Sequence, residues 1–182
     1  MDILAIDPSG SFEEGKGITG IVIEKDNKIT PKQFRAADFS SRQEYWEAMI
    51  DYIIKSNVHF VVIESFKIRD VKFLRGSSPE TLQFIGVLTH SLSQQNIPYY
   101  IQDPGSVKYR FKNEILVDKI DTLEYDEETN YYRLDDKIIN AHIRDALRHL
   151  LYFKRYNLPK YIAGTLYKEK KKKRRQTKWK TF

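Results

Sequence analysis

Short, nearly unbroken apolar runs alternate along this chain with stretches of helical period. Ile3-Leu4-Ala5-Ile6 predicts a buried strand over 2–6, and residues 7–17, with three glycines and a proline, predict a loop. Thr19-Gly20-Ile21-Val22-Ile23-Glu24 predicts a second strand, and Asp26-Asn27 a hairpin turn into a third at 28–37. Tyr45, Trp46, Met49, Ile50, Ile53 and Ile54 make one apolar stripe, so 42–56 reads as a helix capped by Ser40 or Ser41. His59 to Ile63 is rich in β-branched residues and reads as a strand parallel to the first.

Ser78-Pro79 opens a second helix running to Gln95. Leu82, Ile85, Leu88, Thr89 and Leu92 are expected inward, and Gly86 is expected to let this helix approach the sheet. Tyr99-Tyr100-Ile101 is a short strand ended by Asp103-Pro104-Gly105. Residues 111–137 are the least legible; they predict an inserted hairpin pairing Ile115-Leu116-Val117 with Tyr131-Tyr132-Arg133. A last helix is expected over 138–154, with Pro159 ending the region. Five strands interleaved with long helices point to a three-layer α/β fold.

The chain has 182 residues and fits one domain, here placed at 1–160, with a tail at 161–182. Cysteine is absent, which excludes disulfides and thiolate metal sites. No stretch approaches the ~20 apolar residues that span a bilayer, and the first residues lack the basic start of a signal peptide, so a cytoplasmic location is expected. The net charge is +6, unevenly spread: from Lys168 onward nine basic residues face one acidic, Glu169, a charge of +8 that leaves −2 for the body. Such a run, which includes Lys171, Lys172, Lys173, Arg174 and Arg175, attracts polyanions and releases their counterions, or else is simply a solvated extension. Trp179 and Phe182 add stacking surface, which favours nucleic acid; the run has no amphipathic face for a membrane.

Three acidic residues stand where such a fold could gather them. Asp7 ends the first strand, Glu64 ends the strand after the first long helix, and Asp145 lies in the last helix, one turn after His142. Clustered carboxylates repel one another unless a cation sits between them, so the pattern points to a divalent metal site. Each also has an ordinary alternative: Asp7 as a turn residue, Glu64 paired with Lys67 or Arg69, Asp145 paired with Arg148 or Arg144, and His142 as a core histidine.

Ala5-Ile6-Asp7-Pro8-Ser9-Gly10, Val62-Ile63-Glu64, Pro104-Gly105-Ser106-Val107-Lys108 and His142-Ile143-Arg144-Asp145-Ala146, in that order, resemble the ribonuclease H-like nucleases. The chain is most similar to RuvC-type Holliday junction resolvases, especially those of phages, over residues 1–156. The resemblance implies a mixed five-stranded sheet flanked by helices, a homodimer and a branched-DNA substrate in the cytoplasm, the host's if the protein is phage-encoded. It implies two Mg²⁺ ions about 3.5–4 Å apart, replaceable by Mn²⁺. Asp7 would bridge them, Glu64 would hold the ion nearer the leaving group, and Asp145 the ion carrying the water. His142 would ligate a metal or orient or deprotonate the water. Lys108 is a candidate phosphate contact, and Phe73 with Lys72 and Arg75 a candidate DNA-contacting loop; Phe66 is expected to pack beneath that loop. His stands at 142 where well-known members have Asp. A related RNA-processing nuclease, or a non-catalytic binding protein on a degenerate nuclease fold, are the alternatives.

Overall fold

The computed structural model describes residues 1–66 and 79–164. The chain divides into two units, Met1–Leu150 and Leu151–Phe182. The first is built on a five-stranded sheet in the order β3-β2-β1-β4-β5. The strands are β1 (Ile3–Asp7), β2 (Ile18–Lys25), β3 (Lys28–Arg35), β4 (Phe60–Glu64) and β5 (Tyr99–Gln102). The first three pair antiparallel as a meander, and β4 and β5 run parallel to β1. Asp26 and Asn27 both take positive φ, 49° and 62°, the backbone of a tight hairpin turn whose twist matches its strands.

Side-chain alternation divides this sheet into two faces. Leu4 and Ile6, Ile21 and Ile23, and Val61 and Ile63 share one core cluster with two helices. These are α1 (Arg42–Lys55), which buries Tyr45, Met49 and Ile53, and α2 (Glu80–Gln94), which buries Phe84, Leu88 and Leu92. Ser41 caps α1, accepting a hydrogen bond from Glu44 N. Phe66 packs against the same cluster. Residues of the other parity, Ala5, Asp7, Val62 and Glu64, therefore face the other way, where Ile143, Ala146, Leu147 and Leu150 of α5 (Ala141–Tyr152) are buried.

Four expectations change. Leu82 is 40% exposed, and a side chain at Gly86 would meet nothing within 4 Å: Gly86 lies on the outer face of α2, not against the sheet. Residues Ile115-Leu116-Val117 are helical, inside α4 (Asn113–Lys119), which follows α3 (Pro104–Arg110). The partner of Tyr131-Tyr132-Arg133 is instead β6 (Leu123–Asp126), in a small antiparallel sheet with β7 (Tyr131–Leu134) and β8 (Lys137–Ile139). The last helix starts later than expected because residues 137–139 are used as a strand.

In the second unit, a π-helical turn, Phe153–Asn157, leads into α6 (Leu158–Ile162). Pro159 thus sits in the first turn of a helix, where its missing N–H costs nothing, rather than ending one.

Candidate active site

The register of the sheet assembles the first part of the site. Ile6 pairs with Ile63, so Asp7 and Glu64, each the next residue, end adjacent parallel strands side by side. Asp7 also pairs across to Gly20 of β2. A Cβ on Gly20 would stand 2.3 Å from the carbonyl carbon of His142 and 2.5 Å from the nitrogen of Ile143. Only a glycine lets the start of α5 press against the sheet at this point, and that approach delivers His142 and Asp145 to the carboxylates of β1 and β4.

The loop after Asp7 is held in place from several sides. Thr19 Oγ1 accepts from Ser9 N at 2.9 Å and lies 3.0 Å from the hydroxyl of Tyr45. Gly10 N donates to Thr81 Oγ1 (3.1 Å), Phe12 N to Glu80 Oε2 (3.0 Å), and Trp46 Nε1 to the carbonyl of Gly10 (3.0 Å). Such a bonded loop gives Asp7 a fixed setting at the sheet edge.

Asp7, Glu64 and Asp145 each offer an oxygen, and the three oxygens lie within 4.8 Å of one another. His142 stands beside this group rather than within it: its Nδ1 lies 2.8 Å from Asp7 Oδ2. Burial, only partly offset by that bond, pushes Asp7 up to about 6, and the neighbouring Glu64 charge adds to the rise. The same bond holds His142 above its ordinary value against the opposing effect of burial.

Cations surround the group. Lys108, on α3, places Nζ 2.7 Å from Asp145 Oδ2 and 3.6 Å from Glu64 Oε1. Burial pulls this lysine down, but the hydrogen bond to Asp145 and the charges of Glu64, Asp145 and Asp7 outweigh it, and it titrates above its ordinary value. Arg148 binds Asp145 Oδ1 and Asn113 Oδ1 and donates through Nε to the carbonyl of Phe111 at 2.9 Å. That contact ties α5 to the segment leading into α4. Behind Glu64 lies the fully buried His149, whose Nε2 is 3.1 Å from Glu64 Oε2 and whose Nδ1 is 2.8 Å from Gln102 Oε1.

Asp7, Glu64, His142, Asp145 and Lys108 are thus brought to one place. Phe73, Lys72 and Arg75 lie outside the described residues, as do Lys171, Lys172, Lys173, Arg174, Arg175, Trp179 and Phe182. Sequence reasoning did not single out Gly20, Gln102 or His149, and named Arg148 only as an ordinary partner for Asp145. The helical spacing of His142, Asp145 and His149 was a usable signal: 142, 145 and 149 share one face of α5. Gln102 and Gly20 had none, because their roles come from strand pairing.

The donor set is all hard oxygen, which suits Mg²⁺ or a similar divalent cation. Three carboxylates this close, already matched by lysine and arginine, form a group of the kind that a divalent cation can bridge.

No protein-family model matches the sequence. No curated protein matches it either. Solved structures do. RuvC of Thermus thermophilus in complex with Holliday junction substrate is 15% identical, with a TM-score of 0.57, over 86% of this chain and 96% of that one. A second structure of Thermus thermophilus RuvC is 15% identical with a TM-score of 0.52, over 85% of this chain and 96% of that one. Among the described residues, no helix is long and apolar enough to cross a membrane. The chain has the ribonuclease H-like fold of RuvC, a mixed five-stranded sheet flanked by helices.

Proposed function

We propose that this chain is a divalent-metal-dependent endonuclease that hydrolyses phosphodiester bonds in Holliday junctions or related branched DNA, working as a homodimer. The observation that carries the reading is the convergence of Asp7, Glu64 and Asp145, from β1, β4 and α5, within 4.8 Å on this fold. Asp7, Glu64 and Asp145 would hold the metal, most simply as a pair of Mg²⁺ ions, which when bound supplies an activated water and neutralises the charge of the departing oxygen.

The rest of the chemistry belongs to the chain. Nδ1 of His142 is committed to Asp7, so proton transfer at this histidine falls to Nε2, which takes the proton of the attacking water. Arg148 fixes the orientation of Asp145 by a guanidinium bonded on two further sides. Lys108 turns from Asp145 to a non-bridging phosphate oxygen once substrate arrives, replacing one anionic partner by another. Phe73, Lys72 and Arg75 contact the junction, and the tail from 161, with Lys171, Lys172, Lys173, Arg174 and Arg175, binds its backbone without regard to sequence.

A junction of two-fold symmetry needs two matched cuts, hence two sites. The outer face of α2 suits the pairing: Leu82 and Val87 are 40% and 43% exposed, and the bare Gly86 between them costs the helix about 1 kcal/mol unless something packs close to it.

The direct test is cleavage of a synthetic four-way DNA junction with and without Mg²⁺, beside a linear duplex and a folded RNA. Junction cleavage that needs Mg²⁺ and falls by about 100-fold or more in Asp7→Asn is expected. Equal cleavage by parent and variant overturns the metal assignment, and preferential cleavage of the RNA overturns the substrate.

A further inference from the structure

Glu64 is held from two opposite sides. Its Oε1 faces Lys108 and the carboxylate group, 3.6 Å from Nζ, and its Oε2 faces the protein interior, 3.1 Å from His149 Nε2. Neither Oε2 nor Nε2 makes a hydrogen bond with anything else. Both are buried, and a buried polar atom left without a partner costs roughly 1–3 kcal/mol. Which of the two carries the proton is decided on the other side of the imidazole ring.

There Nδ1 lies 2.8 Å from the side-chain amide of Gln102. If the amide oxygen faces the ring, a neutral ring carries its proton on Nδ1 and presents a lone pair from Nε2 to a carboxylate oxygen, which is repulsive, and only a doubly protonated ring would donate at both ends. The nitrogen and oxygen of an amide exchange places by a half-turn that leaves its shape unchanged. With the nitrogen toward the ring, Gln102 donates to Nδ1, the proton sits on Nε2, and Nε2–H donates to Glu64. Both ring nitrogens then have a partner without a charge on the ring.

The fold places these three residues deliberately close. Glu64 and Gln102 are register partners on β4 and β5, so their side chains leave the same face of the sheet. His149 is one turn beyond Asp145 on α5, on the same helical face, and is fully buried. Gln102 is 2% exposed.

We infer that His149 is a positioning residue: Gln102 donates to its Nδ1, its Nε2–H donates to Glu64 Oε2, and this chain of bonds turns Glu64 Oε1 toward Asp7 and Asp145. The inference rests on the metal-site reading for its consequence and on buried geometry for the bonds themselves. A ligand carboxylate anchored through its rear oxygen cannot rotate away or take both oxygens to one cation. Bonds of this kind around a metal site are typically worth 10- to 100-fold in affinity.

Two measurements on the 182-residue chain test it. The first is a long-range ¹H–¹⁵N correlation spectrum of the histidine rings without metal, assigned by loss of the His149 signals in His149→Gln. A proton on Nε2 and none on Nδ1 is expected; a proton on Nδ1, or a bare Nε2, overturns the inference. The second is Mn²⁺ binding followed by the electron paramagnetic resonance signal of the free ion. His149→Phe keeps the ring volume but has no donor, and should bind Mn²⁺ about 10- to 100-fold more weakly. His149→Gln places an amide N–H where Nε2 stood and should remain within about threefold of the parent, a rescue that general loss of packing would not give. Equal affinity in His149→Phe and the parent overturns the inference, as does equal weakening in both variants. If the parent itself binds no Mn²⁺, the metal-site reading fails and the nitrogen spectrum still decides the bonds. If His149→Phe does not fold, the spectrum and His149→Gln carry the decision.

Discussion

The environment of Asp7 opposes its charge. Burial and the nearby Glu64 hold it at about 6, against an ordinary 3.8, so the folded protein without metal keeps the protonated acid up to about pH 6. Stability from that preference is present in full below about pH 4 and is lost as pH rises through about 6. The raised value of His142 acts in the same sense, its favourable charge fading as pH rises through its folded value. Asp7→Asn removes the penalty. Urea melts of metal-free protein should show the variant close to the parent at pH 4 and more stable at pH 8, by on the order of 3 kcal/mol. A variant no more stable than the parent at pH 8 would mean that Asp7 is not desolvated in the free protein. Added Mg²⁺ should stabilise the parent increasingly with pH and leave Asp7→Asn almost unaffected, because the ion favours the form that burial disfavours.

Among elements, the junction of β2 with α5 decides whether the site exists. Gly20 and the backbone of His142 share space that no side chain can enter. Gly20→Ala should cost roughly 1–3 kcal/mol of stability and push α5 outward. A displacement near 1 Å at reacting groups is worth about 10²-fold in rate, so cleavage should fall far more than the stability loss explains. Melting and junction cleavage measured on the same preparation check this; undiminished activity would mean that α5 is not located by this contact. Strands and the two long helices were readable because alternation and the 3.6-residue period are local signals. The segment after β5 was not. Asp103-Pro104-Gly105 reads as a turn, yet Asp103 caps α3 by accepting from Gly105 N at 2.8 Å, with Pro104 in the first turn. Turn and helix start carry the same residues. Ile115-Leu116-Val117 has strand composition, but only Leu116 is buried, and tertiary burial of one residue in three fits a helix.

At the scale of the whole molecule, two features bear on partners. Val87→Lys puts a charge in the middle of the exposed apolar face of α2, and analytical ultracentrifugation should show the parent as a dimer and the variant as a monomer. An unchanged mass would place the dimer contact elsewhere. The charge of +8 carried by the sequence from Lys168 onward is the other feature. Deleting residues 168–182 should weaken DNA binding and flatten its dependence on salt, while metal-dependent chemistry on saturating substrate persists. A salt slope equal to the parent's would remove the tail from the binding account.

Sequence alone determined the five strands and the long helices that cover them, through local periodicity, and it pointed to Asp7 and Glu64 as acids ending apolar runs and to His142 and Asp145 as neighbours one helical turn apart. Tertiary structure decided what those residues meet. Strand register set Asp7 beside Glu64 and Glu64 beside Gln102. A glycine on a neighbouring strand admitted α5, and with it came Arg148 and His149, while α3 brought Lys108, as the counter-charges and bonds of the carboxylate group. Contacts between residues many positions apart depend on how elements pair and how closely they approach, and neither quantity is written in any short stretch of chain.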